Sequence, residues 1–124
     1  LLEDTSENLD LIDNFLTKDL GIINSSLQDR KVLNTIAALV CTRSARLVAA
    51  TYLGIIKHID PQLTRRHNIG IDGSLYEKMP GYARDLQSAL VESLGSKATN
   101  ITTTLAKDGS GIGAAIATAI AVHS

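Results

Sequence analysis

The sequence predicts an α/β chain in the order helix, helix, strand, helix, strand, helix. Apolar residues recur at helical spacing in several stretches, and two short runs, His67–Ile71 and Asn100–Leu105, are bounded by turn residues. A helical stretch separates those runs, and strands joined through a helix pair in parallel. Two strands make too small a sheet to stand alone, so more sheet is expected from residues outside this sequence.

Thr5 or Ser6 is placed to cap a first helix in which Leu9, Ile12, Phe15, Leu16 and Leu20 share a face before Gly21 stops it. Its other face is acidic. Ser26-x-x-Asp29 has the spacing of a capping box, and it opens a long second helix that runs to about Ile59, where Asp60-Pro61 ends it. Leu33, Ile36, Val40, Ser44, Leu47, Thr51 and Ile55 make one stripe along it. Leu39, Val48, Ala49, Ala50, Leu53 and Ile56 widen the apolar surface nearly all round, so the second half is expected to be buried on several sides. His67–Ile71 reads as a buried strand. After Met79-Pro80-Gly81 a third helix turns Tyr82, Leu86, Ala89, Leu90 and Leu94 to the core and is capped by Gly95. The threonines of 100–105 favour a strand, and Ser110 to about Val122 forms a last helix rich in Ala and Ile.

The chain has 124 residues, enough for one modest core, and a net charge of −1 from 12 basic and 13 acidic residues. These charges are interspersed, so no basic patch proposes nucleic acid. The longest apolar run, Leu47–Ile56, is broken by Thr51, Tyr52 and Gly54 and falls short of the roughly 20 residues of a membrane helix. No membrane partner is expected. The single Cys41 cannot form an internal disulfide, which suits a reducing, cytoplasmic setting. Leu1 is not Met and leads directly to a helix cap, so the chain, 1–124, is expected to be the carboxyl-terminal segment of something longer.

Two glycine-bearing segments stand out. In the first, the strand at 67–71 breaks into Asp72-Gly73-Ser74: glycine leaves a peptide face open, Ser74 adds a hydroxyl, and Asp72 can brace the turn. Spacing alone reads equally as a ligand-contacting bend and as a plain turn. In the second, Gly109, Gly111, Gly113 and Ala114 satisfy G-x-G-x-x-[G/A] after a strand and before a helix, formally a dinucleotide fingerprint. That site needs a further strand carrying an acidic residue about 20 positions on. The expected role of Gly109, Gly111, Gly113, Ala114, Ala115 and Ala117 is therefore to hold the helix close to the sheet. No P-loop occurs, His58, His67 and His123 are scattered, and one cysteine makes no structural zinc site. Cys41, among Ala37, Ala38 and Ala45, reads as buried, and Arg43 and Arg46 as helix-surface or ion-pair residues with Asp29 or Asp72 as partners.

From Leu20 to Ala121 the chain resembles hexokinases and glucokinases, the fungal members most closely. The landmarks, in order, are Leu20-Gly21-Ile22 with Asp29-Arg30-Lys31, Thr42-Arg43-Ser44-Ala45-Arg46-Leu47, Ile71-Asp72-Gly73-Ser74-Leu75-Tyr76 with Pro80-Gly81-Tyr82, and Lys107-Asp108-Gly109-Ser110-Gly111-Ile112-Gly113-Ala114-Ala115. The resemblance implies part of the large lobe of an actin-like, RNase H-like sugar-kinase ATPase fold, with this segment supplying its final strands and helices. It implies ATP with magnesium, and a hexose or amino sugar phosphorylated on its 6-hydroxyl by the parent protein. It also implies that Gly73, Ser74 and Leu75, with Tyr76 and Lys78 beside them, line the adenosine side of the nucleotide site. Glu77 departs from the basic or amide residue often found there.

The family's sugar-binding residues, its catalytic base and its phosphate loops have no counterpart here, so this segment is expected to hold no catalytic, sugar or metal site and to be inactive without the upstream part of the same kinase. Fungal kinases for N-acetylglucosamine share the architecture, which leaves the sugar open. A kinase-like regulatory or sugar-sensing protein that keeps the fold without catalysis is the alternative. A dinucleotide-binding domain is disfavoured by its missing half.

Overall fold

The computed structural model describes residues 1–123. Asp4 and Ser6 together start helix α1 (Asp10–Lys18): the Asp4 carboxylate accepts the Ile12 N–H at 2.9 Å and the Ser6 hydroxyl accepts the Asp10 N–H at 2.8 Å. Beyond its end, the Ile22 N–H donates to the Leu16 carbonyl at 2.8 Å, next to a left-handed Gly21. The capping box of α2 (Leu27–Ile59) forms as its spacing predicts: Ser26 Oγ accepts the Asp29 N–H at 3.2 Å and Asp29 Oδ2 accepts the Ser26 N–H at 2.9 Å.

Strand β1 (His67–Ile71) follows α2, then a short helix α3 (Ser74–Lys78), then α4 (Tyr82–Leu94). Gly95, at φ +57°, ends α4 and leads through a 3-10 turn, Gly95–Asn100, into β2 (Ile101–Leu105) and α5 (Gly109–His123). The turn at 95–100 and helix α3 have no signature in the sequence pattern, being too short to show a period. β1 and β2 pair in parallel from His67↔Ile101 to Ile71↔Leu105, as strands joined through a helix do.

The main core lies where α2 and α4 cover one face of this sheet. Ala45, Ala49, Ile56, Tyr82, Leu86, Leu90 and Ile101 are buried there, with Tyr52, Leu53, Ile69 and Ile71 packed against them. A smaller cluster of Leu9, Ile12 and Leu16, backed by Leu33, fastens α1. α4 buries Tyr82, Leu86, Ala89 and Leu90, the face read from its spacing. On α2 the outcome differs. Ile36, Val40, Leu47 and Ile55 of the expected stripe are exposed, and the buried face is centred on Ala45 and Ala49, whose small side chains let α4 approach. A helix apolar on nearly every side carries too little asymmetry for its sequence to select a face.

Two further expectations change. β1 is half-buried, with His67, Ile69 and Ile71 inward and Asn68 and Gly70 outward. On the outer face Asn68 Oδ1 accepts from the hydroxyls of Thr102 and Thr104, at 3.3 and 3.2 Å. α2, in turn, contains an 18-residue window apolar enough, by length and composition, to cross a membrane. Counting unbroken apolar runs missed it because Thr, Tyr and Gly lower mean hydropathy only slightly. Arg43 and Arg46 sit near the middle of the helix, and each would cost about 2.5–3.5 kcal/mol at a bilayer centre. The face centred on Ala45, Ala49 and Ile56 packs within the protein.

Candidate functional site

Parallel pairing in this register brings the carboxyl ends of both strands to one edge of the sheet, the edge where open α/β folds bind ligands. The ladder extends one step further, with the Ala106 N–H donating to the Ile71 carbonyl at 2.9 Å. From there β1 leaves through Asp72-Gly73 into α3, and β2 leaves through Lys107-Asp108 into α5. The two glycine-bearing segments of the sequence therefore lie side by side.

Gly73 is extended, at φ 161° and ψ 140°, a conformation open to any residue, so glycine's freedom to take a left-handed φ is not used here. What distinguishes the position is space: beyond its chain neighbours, a Cβ built on Gly73 meets no atom within 4 Å. Its peptide forms an open ledge. Ser74 starts α3 and is exposed, and Leu75 is 43% exposed, an apolar side chain standing beside the ledge. Tyr76 turns the other way, its hydroxyl donating to Thr103 Oγ1 at 2.9 Å and anchoring α3 on β2. Lys78 is exposed and, among the described residues, has no ion-pair partner. Glu77 pairs with Lys107 at 3.3 Å and so joins α3 to the second loop.

Asp72 braces across the sheet edge and not within its own turn. Its Oδ2 accepts from the backbone N–H of Ser110 at 3.3 Å and from the Ser110 hydroxyl at 3.2 Å. A Cβ on Gly109 would stand 3.3 Å from that same oxygen, and one on Gly111 would stand 2.6 Å from Asp108 Oδ1. The glycines thus make room for the carboxylates of the two loops. The expected packing role is not seen: residues 109 to 122 of α5 are exposed, Gly113, Ala114, Ala115 and Ala117 included.

Other polar groups are committed elsewhere. Arg46 pairs with Glu92 at 2.8 Å, neither of its expected partners being in reach. Cys41 is half-buried, with its Sγ 4.0 Å from Met79 Sδ. His67 is more than a loop-end residue, since its Nε2 lies 3.0 Å from the buried Asp60 carboxylate. Asp60 also accepts the Arg65 N–H at 2.9 Å and the Thr64 hydroxyl at 3.2 Å. Hydrogen bonds from the Arg65 backbone first, and from His67 next, hold its carboxyl far below the usual carboxylate range. The cluster fixes the path from α2 into β1. Its only sequence signal is an aspartate after a helix end, a common turn residue.

A cleft of about 440 Å³ lined by Asn34, Cys41, Thr42, Gly81, Arg84 and Asp85 includes none of the ledge residues. Among the described residues no three His, Cys, Asp or Glu side chains come together.

Residues 1–120 match the family model described as Hexokinase. Hexokinase-2 of Solanum tuberosum is 42% identical over 119 residues, covering 91% of this chain and 24% of that protein. Hexokinase-4, chloroplastic, of Oryza sativa subsp. japonica is 36% identical over 120 residues, 92% of this chain and 24% of its own. Hexokinase-1 of Nicotiana tabacum is 38% identical over 119 residues, with 91% and 24% covered. The chain spans about a quarter of the length of these curated relatives. They are plant proteins, whereas the sequence landmarks pointed first to fungal members.

Proposed function

Because this chain belongs to the hexokinase family, we propose that it is the carboxyl-terminal, adenosine-binding portion of an ATP-dependent hexose kinase. It forms part of that enzyme's large, actin-like lobe. The parent transfers the ATP γ-phosphate to the 6-hydroxyl of a glucose-like hexose or of N-acetylglucosamine. The observation that carries the reading is the ledge at Gly73: an exposed, extended peptide with empty space where a side chain would stand, at the carboxyl end of a parallel strand.

In this reading the nucleoside lies against the bare backbone of Gly73 and Ser74. Leu75 offers the base an apolar contact, and Lys78 supplies a mobile positive charge at the rim. Tyr76 acts from behind, holding α3 on Thr103. Phosphoryl transfer requires a base on the acceptor hydroxyl and electrostatic stabilisation of the γ-phosphate. This chain supplies adenosine binding alone, so by itself it is inactive, and sugar choice and the metal-bound phosphates are matters for the upstream part of the same kinase. The proposed compartment is cytoplasmic, on the strength of the unpaired Cys41.

Photolabelling the full-length protein with 8-azido-ATP, followed by peptide mapping, tests the assignment. Label between residues 72 and 78 that unlabelled ATP competes away is the expected result. Competed label confined to other segments would refute it.

A further inference from the structure

The brace between Asp72 and Ser110 has no part in the adenosine contacts just described, yet it joins the two loops at the sheet edge. Asp72 immediately precedes Gly73, and its Oδ2 takes two hydrogen bonds from Ser110, a residue 38 positions away. Glu77 and Lys107 tie the same two loops a second time, from the far end of α3. The ladder bond from Ala106 to Ile71 aligns them. The ledge itself has no side chain to hold it, and the empty space around Gly73 means that nothing packs against it from the ligand side. Its orientation must therefore come from its neighbours.

We propose that Asp72 is a positioning residue for nucleotide binding, and that through Ser110 it makes the exposed glycine-rich start of α5 a structural part of the nucleotide site. This rests on the adenosine reading of Gly73. The carboxylate accepts one bond from a backbone N–H, which no side-chain change at Ser110 removes, and one from the hydroxyl, which can be deleted. Gly109 belongs to the same device, since a side chain there would press within 3.3 Å of the accepting oxygen. If the carboxylate is lost, the turn is released from α5, and the ledge samples orientations that do not fit the nucleoside. The penalty falls on nucleotide affinity.

The test is steady-state kinetics of the full-length kinase with Asp72→Ala, Asp72→Asn and Ser110→Ala, beside Gly73→Val as a control for the site. Asp72→Ala is expected to raise the KM for ATP about tenfold, the equivalent of one charge-assisted hydrogen bond, with kcat and the sugar KM within about twofold. Asn keeps a carbonyl oxygen that can accept from Ser110, so Asp72→Asn should recover most of the loss. Ser110→Ala, at an exposed position where folding is not at risk, should raise the ATP KM about threefold, and it decides the matter if Asp72→Ala does not fold. Equal damage by Asn and Ala at position 72 would overturn the positioning role, as would a parallel rise of both substrate KM values. An effect of Gly73→Val without any from Asp72 or Ser110 would overturn this inference and leave the adenosine reading standing. No effect from any of the four would remove both.

Discussion

Replacing Gly73 with valine separates a ligand-facing glycine from one the fold requires. The backbone there is extended, where β-branched residues are at home, and a Cβ meets nothing within 4 Å. The Cβ itself therefore meets no steric obstacle from the rest of the chain. Removing a glycine from an unstrained position also restricts the unfolded state, which is worth about 0.4–1 kcal/mol in favour of folding. The melting temperature should stay level or rise slightly. A nucleoside lying on the ledge would instead meet an isopropyl group and be lifted by roughly an ångström or more, a displacement that costs up to about 100-fold in a preorganised site. We expect the ATP KM of the full-length protein to rise about 10- to 100-fold, about 1.4–2.7 kcal/mol, with the sugar KM unchanged. Gly73→Ala should fall between. The assays are thermal melts and coupled-enzyme kinetics with each substrate varied in turn. A lowered melting temperature with both KM values raised would mean that Gly73 serves the fold. An unchanged ATP KM in a well-folded variant would leave the ledge without a nucleotide.

Two further outcomes concern the scaffold behind the site. Leu90 is fully buried between α4 and its neighbours, and Leu90→Ala should lower stability by about 2–5 kcal/mol, read by chemical denaturation; a loss under about 1 kcal/mol would show that the described core is not the one the protein uses. Asp60→Asn should lower the melting temperature at pH 7. In the fold the Asp60 carboxyl is held below its ordinary range, so its contribution is complete above the unfolded value of about 3.9 and is lost as pH falls through the folded value. The gap between wild type and variant should accordingly narrow below about pH 4, and a gap that stays constant down to pH 2 would exclude the carboxylate as its source.

What could be read from the sequence and what could not divide along a physical line. Caps and stops are local, so Ser26-x-x-Asp29, Asp60-Pro61 and Gly95 marked their helices within a residue or two. The exposed face of α2 was not legible, because Leu39, Leu47, Val48 and Leu53 surround the axis and only the approach of α4 to Ala45 and Ala49 chooses among them. The site divides in the same way. Gly73 and Gly109 each stand out as turn formers, but the bond from Ser110 to Asp72 and that from Tyr76 to Thr103 span 38 and 27 residues. Both depend on one register, His67 opposite Ile101; a slip of one residue would move Thr103 to the outer face and carry Ser110 about 3.3 Å along the strand direction. The inward placement of Ile69 and Ile71 beside Ile101 and Thr103 holds that register. Core packing beneath the sheet thus sets the alignment of the two loops at its edge. That is why a polar brace between exposed residues can be specific although each of its bonds is individually weak.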